Sequence, residues 1–476
     1  MHPRRKKQEF EIERSINCNV HGSIDIIKPL SSIIDTPQFQ RLRRIEQLSF
    51  CNRVYPTARH SRFEHSLGAY RLAFNFANFL SRNYEDAVTK ADIYCISIAA
   101  LIHDIGHGPF SHFYEVFMKE SGHPTWKHEQ ATIQMWEHLL ESNPNVRKEL
   151  EHYLNEKDFI FIKELINPPK NLFKLEEWPM KGRPKEKSFL FCIVSNANDG
   201  LDTDKMDYIL RDSTNANVAI GCSISMINRL MNSFEIGQPD EGKGLMRLLY
   251  QQKILDDVYH MLSYRVRLHH VIYRHKTVVA IDKQMLKVLK LADKHLTFYG
   301  SNGKAFSLSE AAYDMEAFMK VTDDFLIYIR NSVSEVLKPA RNLLTDIDCR
   351  RIYHEFGSFN CKDSNEANKI VNEIHDFFEG RLAKDKYFID LSEMHSGLGM
   401  EENPLTRMLV CDPNSPNAHW IPEHDIELKR IACFVLARVY YDGYDMPSEL
   451  KRQFKDFELQ VYRKESATSA PSTSAT

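Results

Sequence analysis

Arg62-Phe63-Glu64-His65 and Leu101-Ile102-His103-Asp104-Ile105-Gly106-His107-Gly108-Pro109-Phe110-Ser111-His112 are the two stretches whose reading decides the fold. An imidazole next to a carboxylate, with a further histidine upstream, can hold a divalent transition metal. Histidines beyond that need can act on a substrate beside it. Leu67, Tyr70, Phe74, Ala77 and Leu80 recur at three- and four-residue steps, which predicts a helix with His65 at its start. A second helical stripe runs through Ile93, Ile96, Ala99, Ala100 and Ile102. Gly106, Gly108 and Pro109 then break it, so His103-Asp104 falls at a helix end.

Outward from this centre, 476 residues with 43% hydrophobic content are enough for one main domain and an appendage. A formal charge of -3 argues against bulk attraction to nucleic acid and leaves small anionic ligands in play. Nine cysteines without a CxxC pair, and no apolar N-terminal run, fit a reducing intracellular compartment without structural disulfides. No segment approaches the ~18 apolar residues of a membrane span. The expected organisation is a basic flexible tail over 1–16, a helical domain over 17–335, a smaller α+β lobe over 336–464 and a disordered tail over 465–476. Met1-His2-Pro3-Arg4-Arg5-Lys6-Lys7 reads as a nuclear localisation signal, with a cytoplasmic share also expected. Tyr387–Leu391 and Arg407–Cys411 read as short extended runs, and 423–441 as a return to helix.

A metal site needs a further ligand. The segment Asp199 to Asp212 offers five aspartates, among which spacing does not choose. Lys205, Tyr208 and Asp212, at i, i+3 and i+7, share one helical face in that segment.

Taken with Ile34 to Arg43, Arg62 to Gly68, Trp126 to Gln130 and Asp202 to Asp212, these motifs resemble the SAM and HD domain-containing deoxynucleoside triphosphate triphosphohydrolases, within the HD phosphohydrolase superfamily. The resemblance runs from about Asn17 into the C-terminal lobe. It implies a mostly helical HD fold, and His65, His103, Asp104 and Asp204 as ligands of Zn²⁺, iron or manganese, with Mg²⁺ accompanying the nucleotide. About twenty residues precede the HD-like region, so no SAM domain is expected. Three departures stand out. Arg274 replaces a glutamine, Gln251 an arginine and Asp257 an asparagine at nucleotide-contacting positions, and Glu115 stands for an aspartate. The N-terminus is the third.

The chemistry this suggests is attack on the α-phosphorus of a dNTP, releasing a deoxynucleoside and triphosphate. A helix starting near Pro109 puts Glu115 one turn from His112, the candidate general acid, and His107 and His128 would steady the phosphates. Lys205, Tyr208 and Asp212 would meet phosphate, sugar face and 3′-hydroxyl. Arg62 and Arg265 would clamp phosphates, since guanidinium forks bind their oxygens bidentately. Gln47 and Leu48 match family residues near sugar and base, and Tyr273 and Arg274 complete the expected substrate set. From the residues alone Asp35 and Arg43 read as an ordinary ion pair. The resemblance implies instead a guanine-nucleotide site (GTP or dGTP) with Asn17 and Gln40, whose occupancy promotes a homotetramer. Arg229, Lys253, His275 and Lys276 match a second nucleotide site. Arg265 to Lys276 is basic with interleaved aromatics, so weak single-stranded nucleic-acid binding is an alternative reading, as is an HD nuclease or nucleotidase.

Overall fold

The computed structural model describes residues 9–84, 86–239, 244–412, 418–429, 431, 433–443 and 446–468. It opens with an antiparallel hairpin, β1 (Ile12–Cys18) and β2 (Gly22–Ile27). The hairpin takes in residues 12–16 of the expected tail, and 1–8 lie outside the described residues. β2 buries Ile24, Ile26 and Ile27 in the core, and β1 is held as its pairing partner. Met1–Lys7 lies outside the described residues.

The core is helical: α1 (Arg62–Asn83), α2 (Lys90–Ile102), α3 (His112–Glu120), α4 (His128–Ser142), α5 (Glu156–Ile166) and α6 (Thr203–Asn215). Reciprocal capping starts the two longest-buried helices, by Ser61 with Glu64 and by Thr89 with Asp92. α2 is buried all round from Asp92 to Ile102, as its nearly continuous apolar sequence requires, and it is clasped by α1 on one side and α5 on another. α6 packs across α1. The main chain after α2 turns through glycines because nothing larger fits: a Cβ on Gly106 would lie 2.0 Å from the backbone nitrogen of Thr132.

Strands β3 (Phe234–Gly237) and β4 (Arg247–Gln251) lead into α7 (Leu255–Leu268), α8 (Lys276–Ala292) and α9 (Lys338–Asp348). Beyond them come β5 (His354–Cys361), α10 (Ser364–Phe378), β6 (Tyr387–Met394), β7 (Leu409–Cys411), β8 (Ala418–Trp420), β9 (Phe434–Tyr441) and α11 (Ser448–Thr468). One antiparallel sheet, ordered β5-β9-β6, is backed by α10 and α11 through Ile370, Ile374, Phe378 and Phe454. A second, β8-β7-β4-β3, joins the halves of the chain through the parallel pairs Tyr250↔Val410 and Gln251↔Cys411.

The chain is therefore mainly α with a smaller α+β part, but residue 336 is not a clean boundary. Ala340, Leu344 and Ile347 of α9 belong to the main core, as do Met408 and Val410. The expected helix over 423–441 is also corrected: only Glu423–Leu428 is helical, and Phe434–Tyr441 is the central strand of its sheet. That strand is covered on both faces, so its apolar residues do not alternate. Of the expected C-terminal tail, helix α11 includes residues up to Thr468, and 469–476 lie outside the described residues.

Candidate functional site

The four residues expected to bind metal arrive from three elements. His65 sits one residue beyond the capping Glu64 of α1, His103 caps the end of α2 with Asp104 next in chain, and Asp204 lies in the first turn of α6. His65 Nε2 lies 3.0 Å from Asp204 Oδ1, 3.5 Å from Asp104 Oδ2 and 3.2 Å from His103 Nε2. His103 Nε2 is 3.4 Å from Asp204 Oδ1 and 3.5 Å from Asp104 Oδ1. Ligand atoms around one ion at bonds of about 2.1 Å stand roughly 3.0–3.4 Å apart, so His65 Nε2, His103 Nε2 and Asp204 Oδ1 have the spacing of a shared cation, while Asp104 turns a different oxygen toward each histidine.

The outer nitrogens of both imidazoles are committed. His65 Nδ1 is 2.8 Å from Asp207 Oδ2, and His103 Nδ1 donates to Ala100 O at 2.8 Å. Each ring therefore presents Nε2 inward, as a metal-ligating histidine must. Asp207 is itself gripped by Arg211 (2.8 and 3.0 Å) and His21 (2.5 Å), all with essentially no exposed side chain. Burial disfavours the imidazolium of His65, yet Asp204, Asp207 and Asp104 outweigh it and raise its pKa to about 10. Burial likewise favours neutral Asp104, but Arg62 and His103 hold its carboxyl well below the usual range. Such concentrated negative charge suits a divalent ion.

Beside this set stand His107, His112 and His128. His107 and His128 stack with ring centroids 4.0 Å apart, and His112 meets both edge-on at 5.0 and 5.2 Å. His112 heads α3, after a turn in which Phe110 and Ser111 both adopt φ of 59°, a strained conformation for non-glycine residues. The turn is pinned by Phe110 N donating to Asp323 (2.7 Å) and by Ser49 Oγ donating to Phe110 O (2.5 Å). Glu115 does not attend His112 first. It makes a short contact with His128 Nδ1, receives Lys127 at 2.8 Å, and lies 3.7 Å from His112. The His112 side chain is exposed to the cleft, 71% accessible, with the Glu115 carboxylate nearby favouring its imidazolium. His107 is held well below the normal histidine range by burial and by Arg62, and is neutral.

His103, Asp104 and Asp204, with His65 wholly buried behind them, and the three further histidines share a cleft of about 500 Å³ with Gln47, Leu48, Arg62, Lys205, Tyr208, Asp212, Arg265, Tyr273 and Arg274. Several are already engaged. Arg62 donates to Asp104 (2.6 Å) and Ser111 (2.8 Å), and both oxygens of Asp212 have partners in Tyr273 Oη (2.6 Å) and His60 (2.7 Å). Arg265 donates to the carbonyl of His395, and Gly397 from the same loop approaches Lys205. Arg274 is turned toward β6, donating to Ser392 Oγ (2.7 Å) and to Asp390.

None of the residues expected to bind regulatory nucleotides lines this cleft. Asp35 pairs with Arg14 (2.8 and 2.9 Å) and not with Arg43. Arg43 donates to Gln40 at 2.8 Å and lies over the Phe63 ring, whose face attracts the cation. Asn17 is on β1 opposite Ser23. Arg229 is in contact with Asp257, His275 caps α8 by accepting from Thr277 N, and Lys276 lies 3.8 Å from Glu355. Lys253 follows β4.

Sequence reasoning assigned no role to His60, Asp207, Asp282 or His395. Asp207, one turn after Asp204, was within reach of periodicity; the others carry no local signal. An HD domain family model matches residues 62–171. The chain is 36% identical over 415 residues to the deoxynucleoside triphosphate triphosphohydrolase SAMHD1 of Danio rerio, covering 84% of this chain and 66% of that protein. For the protein of the same name from Gallus gallus the figures are 35% over 432 residues, 86% and 68%, and for that from Bos taurus 38% over 446, 89% and 74%. The chain thus spans about two thirds to three quarters of the length of these relatives.

Proposed function

Since the chain belongs to the SAMHD1 family of HD-domain proteins, we propose that it hydrolyses deoxynucleoside triphosphates to deoxynucleoside and inorganic triphosphate. The observation that carries this reading is the convergence of His65, His103, Asp104 and Asp204, the last three lining a cleft shared with three further histidines and the cations Arg62, Lys205 and Arg265. A divalent cation held by those four would supply Lewis acidity toward phosphoryl oxygens and toward the attacking water.

The protein's own groups do the rest. Arg62, Lys205 and Arg265 neutralise the triphosphate and fix the α-phosphorus. Water attacks that phosphorus and releases a proton to solvent, the Pα–O5′ bond breaks with its electron pair passing to O5′, and His112 gives its proton to the departing O5′, to be reprotonated from solvent. The negative triphosphate, with Glu115 nearby, favours the imidazolium of the exposed His112. His107 and His128, stacked beside it, complete the polar wall. Tyr208 against the sugar leaves no room for a 2′-hydroxyl and so favours deoxyribose.

Around this chemistry we place activation by GTP or dGTP near Asp35, Gln40 and Arg43, assembly into a homotetramer, control of dNTP pools and a nuclear location. The Arg14–Asp35 pair would have to open for a guanine to reach Asp35. Product chromatography of dGTP with Mg²⁺, with and without GTP and beside Asp204→Ala, tests the proposal. Deoxyguanosine plus triphosphate, absent in the variant, is expected. Diphosphate or monophosphate products would replace the reading with a nucleotidase. Identical turnover and mass with and without GTP would remove the activation.

A further inference from the structure

The turn that launches α3 is held in an unfavourable shape by a group that stands outside the cleft. Phe110 and Ser111 are consecutive non-glycine residues at φ of 59°, a conformation that persists only where the surroundings over-determine it. Asp323, 213 positions along the chain from Phe110, supplies that constraint. Its Oδ1 accepts from Phe110 N at 2.7 Å and its Oδ2 from Glu46 N at 2.9 Å. Ser111 Oγ closes the circuit by donating to Glu46 O at 2.7 Å. The segment that carries Asp323 is tied down as well. Asp323 N donates to Arg44 O at 3.1 Å, and the Phe325 ring meets that of Phe110 edge-on with centroids 5.8 Å apart. One carboxylate thus joins the turn before His112 to the segment leading into Gln47 and Leu48, while Asp323 itself does not line the cleft.

His112 depends on this turn. Glu115 stands 3.7 Å from its ring, and the rings of His107 and His128 meet it edge-on at 5.0 and 5.2 Å. The imidazole is largely exposed to the cleft, so the backbone that starts α3 sets where it stands. We propose that Asp323 is a positioning residue for proton donation: by pinning the Phe110–Ser111 turn to Glu46, it holds His112 within reach of the departing O5′. The inference rests on the proposed hydrolysis, with His112 as its acid. Two acceptor oxygens on one planar group are what the circuit requires, because an amide offers one acceptor and turns an NH₂ toward the second donor. A misplacement of about 1 Å costs roughly 100-fold in rate, and a general acid contributes about 10²–10⁴-fold. Release of the turn is therefore read in kcat.

The test compares turnover of dGTP, with Mg²⁺ and GTP present, with turnover of its analogue in which sulfur replaces the 5′ oxygen. In the analogue the Pα–S bond breaks with its electron pair passing to sulfur, and the thiolate departs without a proton. The analogue thus bypasses the general acid but keeps base, sugar and triphosphate. In Asp323→Ala, kcat on dGTP should fall about 10–100-fold with KM within about threefold of the parent, and kcat on the analogue should fall by less than about threefold. His112→Ala, measured beside it, should spare the analogue in the same way with a larger loss on dGTP. An unfolded fraction lowers both substrates alike, so the ratio of the two losses does not depend on how much of a variant folds. Asp323→Asn, closer in shape, should show a smaller loss on dGTP and the same sparing of the analogue. Equal losses on the two substrates in either Asp323 variant or in His112→Ala, or undiminished dGTP turnover in Asp323→Ala, would overturn the proposal and leave the hydrolase reading in place. Turnover of neither substrate by the parent protein would sink both.

Discussion

Asp207→Asn separates the two duties of one buried carboxylate. Its Oδ2 orients His65 through Nδ1 at 2.8 Å and accepts from Arg211 Nε at the same distance; its Oδ1 receives Arg211 Nη2 at 3.0 Å and His21 at 2.5 Å. The amide keeps the shape but removes the charge, leaving the wholly buried Arg211 cation uncompensated. Breaking a buried ion pair from one side costs about 3–5 kcal/mol, a large part of a typical stability of about 5–15 kcal/mol. Loss of the carboxylate behind a metal-ligating imidazole typically weakens metal affinity by about 10–100-fold. The two effects part in the double variant Asp207→Asn/Arg211→Met. Removing the orphaned cation should restore much of the stability measured by urea unfolding, while metal affinity, measured by competition with a chelating dye, stays low. Asp207→Asn with metal affinity within twofold of the parent would refute the reasoning that Asp207 orients His65. Recovery of affinity in the double variant would refute it equally, since the defect would then be a consequence of the buried charge.

Ser61→Ala should cost about 0.5–2 kcal/mol in urea unfolding, because Ser61 Oγ and Glu64 cap each other at the start of α1. Gly106→Ala puts a methyl on the Thr132 backbone, which cannot swing away, and should cost at least about 1–3 kcal/mol in the same assay. Asp204→Ala should lose the bound metal in elemental analysis together with all turnover. Asp282 holds its proton in the folded protein up to a pH of about 7, whereas the unfolded chain releases it near 4. The unfolded state thus binds fewer protons in that window, so stability falls as pH rises from about 4 to about 7 and the loss then levels off. Urea midpoints of the parent and Asp282→Asn across this range should diverge on raising the pH; parallel curves would contradict the raised pKa.

The candidate metal set could be proposed because three of its residues sit in two short motifs at helix ends, where capping residues and glycines mark the boundaries. Asp204 needed the resemblance, since five aspartates in one segment differ only in where the fold aims them. The helical core could be read from apolar steps along α1 and α2. Phe434–Tyr441 could not, because a strand covered on both faces shows neither helical nor alternating periodicity. The Arg14–Asp35 pair and the attachment of Arg274 to Asp390 escaped for another reason: they join residues 21 and 116 positions apart, and nothing local announces them.

The parallel pairing of β4 with β7 also bears on the birth of the protein at the ribosome. Tyr250 and Gln251 wait for Val410 and Cys411, and Arg265 waits for His395, so more than a hundred residues must be synthesised before that side of the cleft exists. Long-range closures of this kind are slow and expose unpaired strand edges meanwhile. A nascent chain that has already folded its two signature motifs still has an open cleft. That side of the cleft is completed only once residues in the last third of the chain have been made.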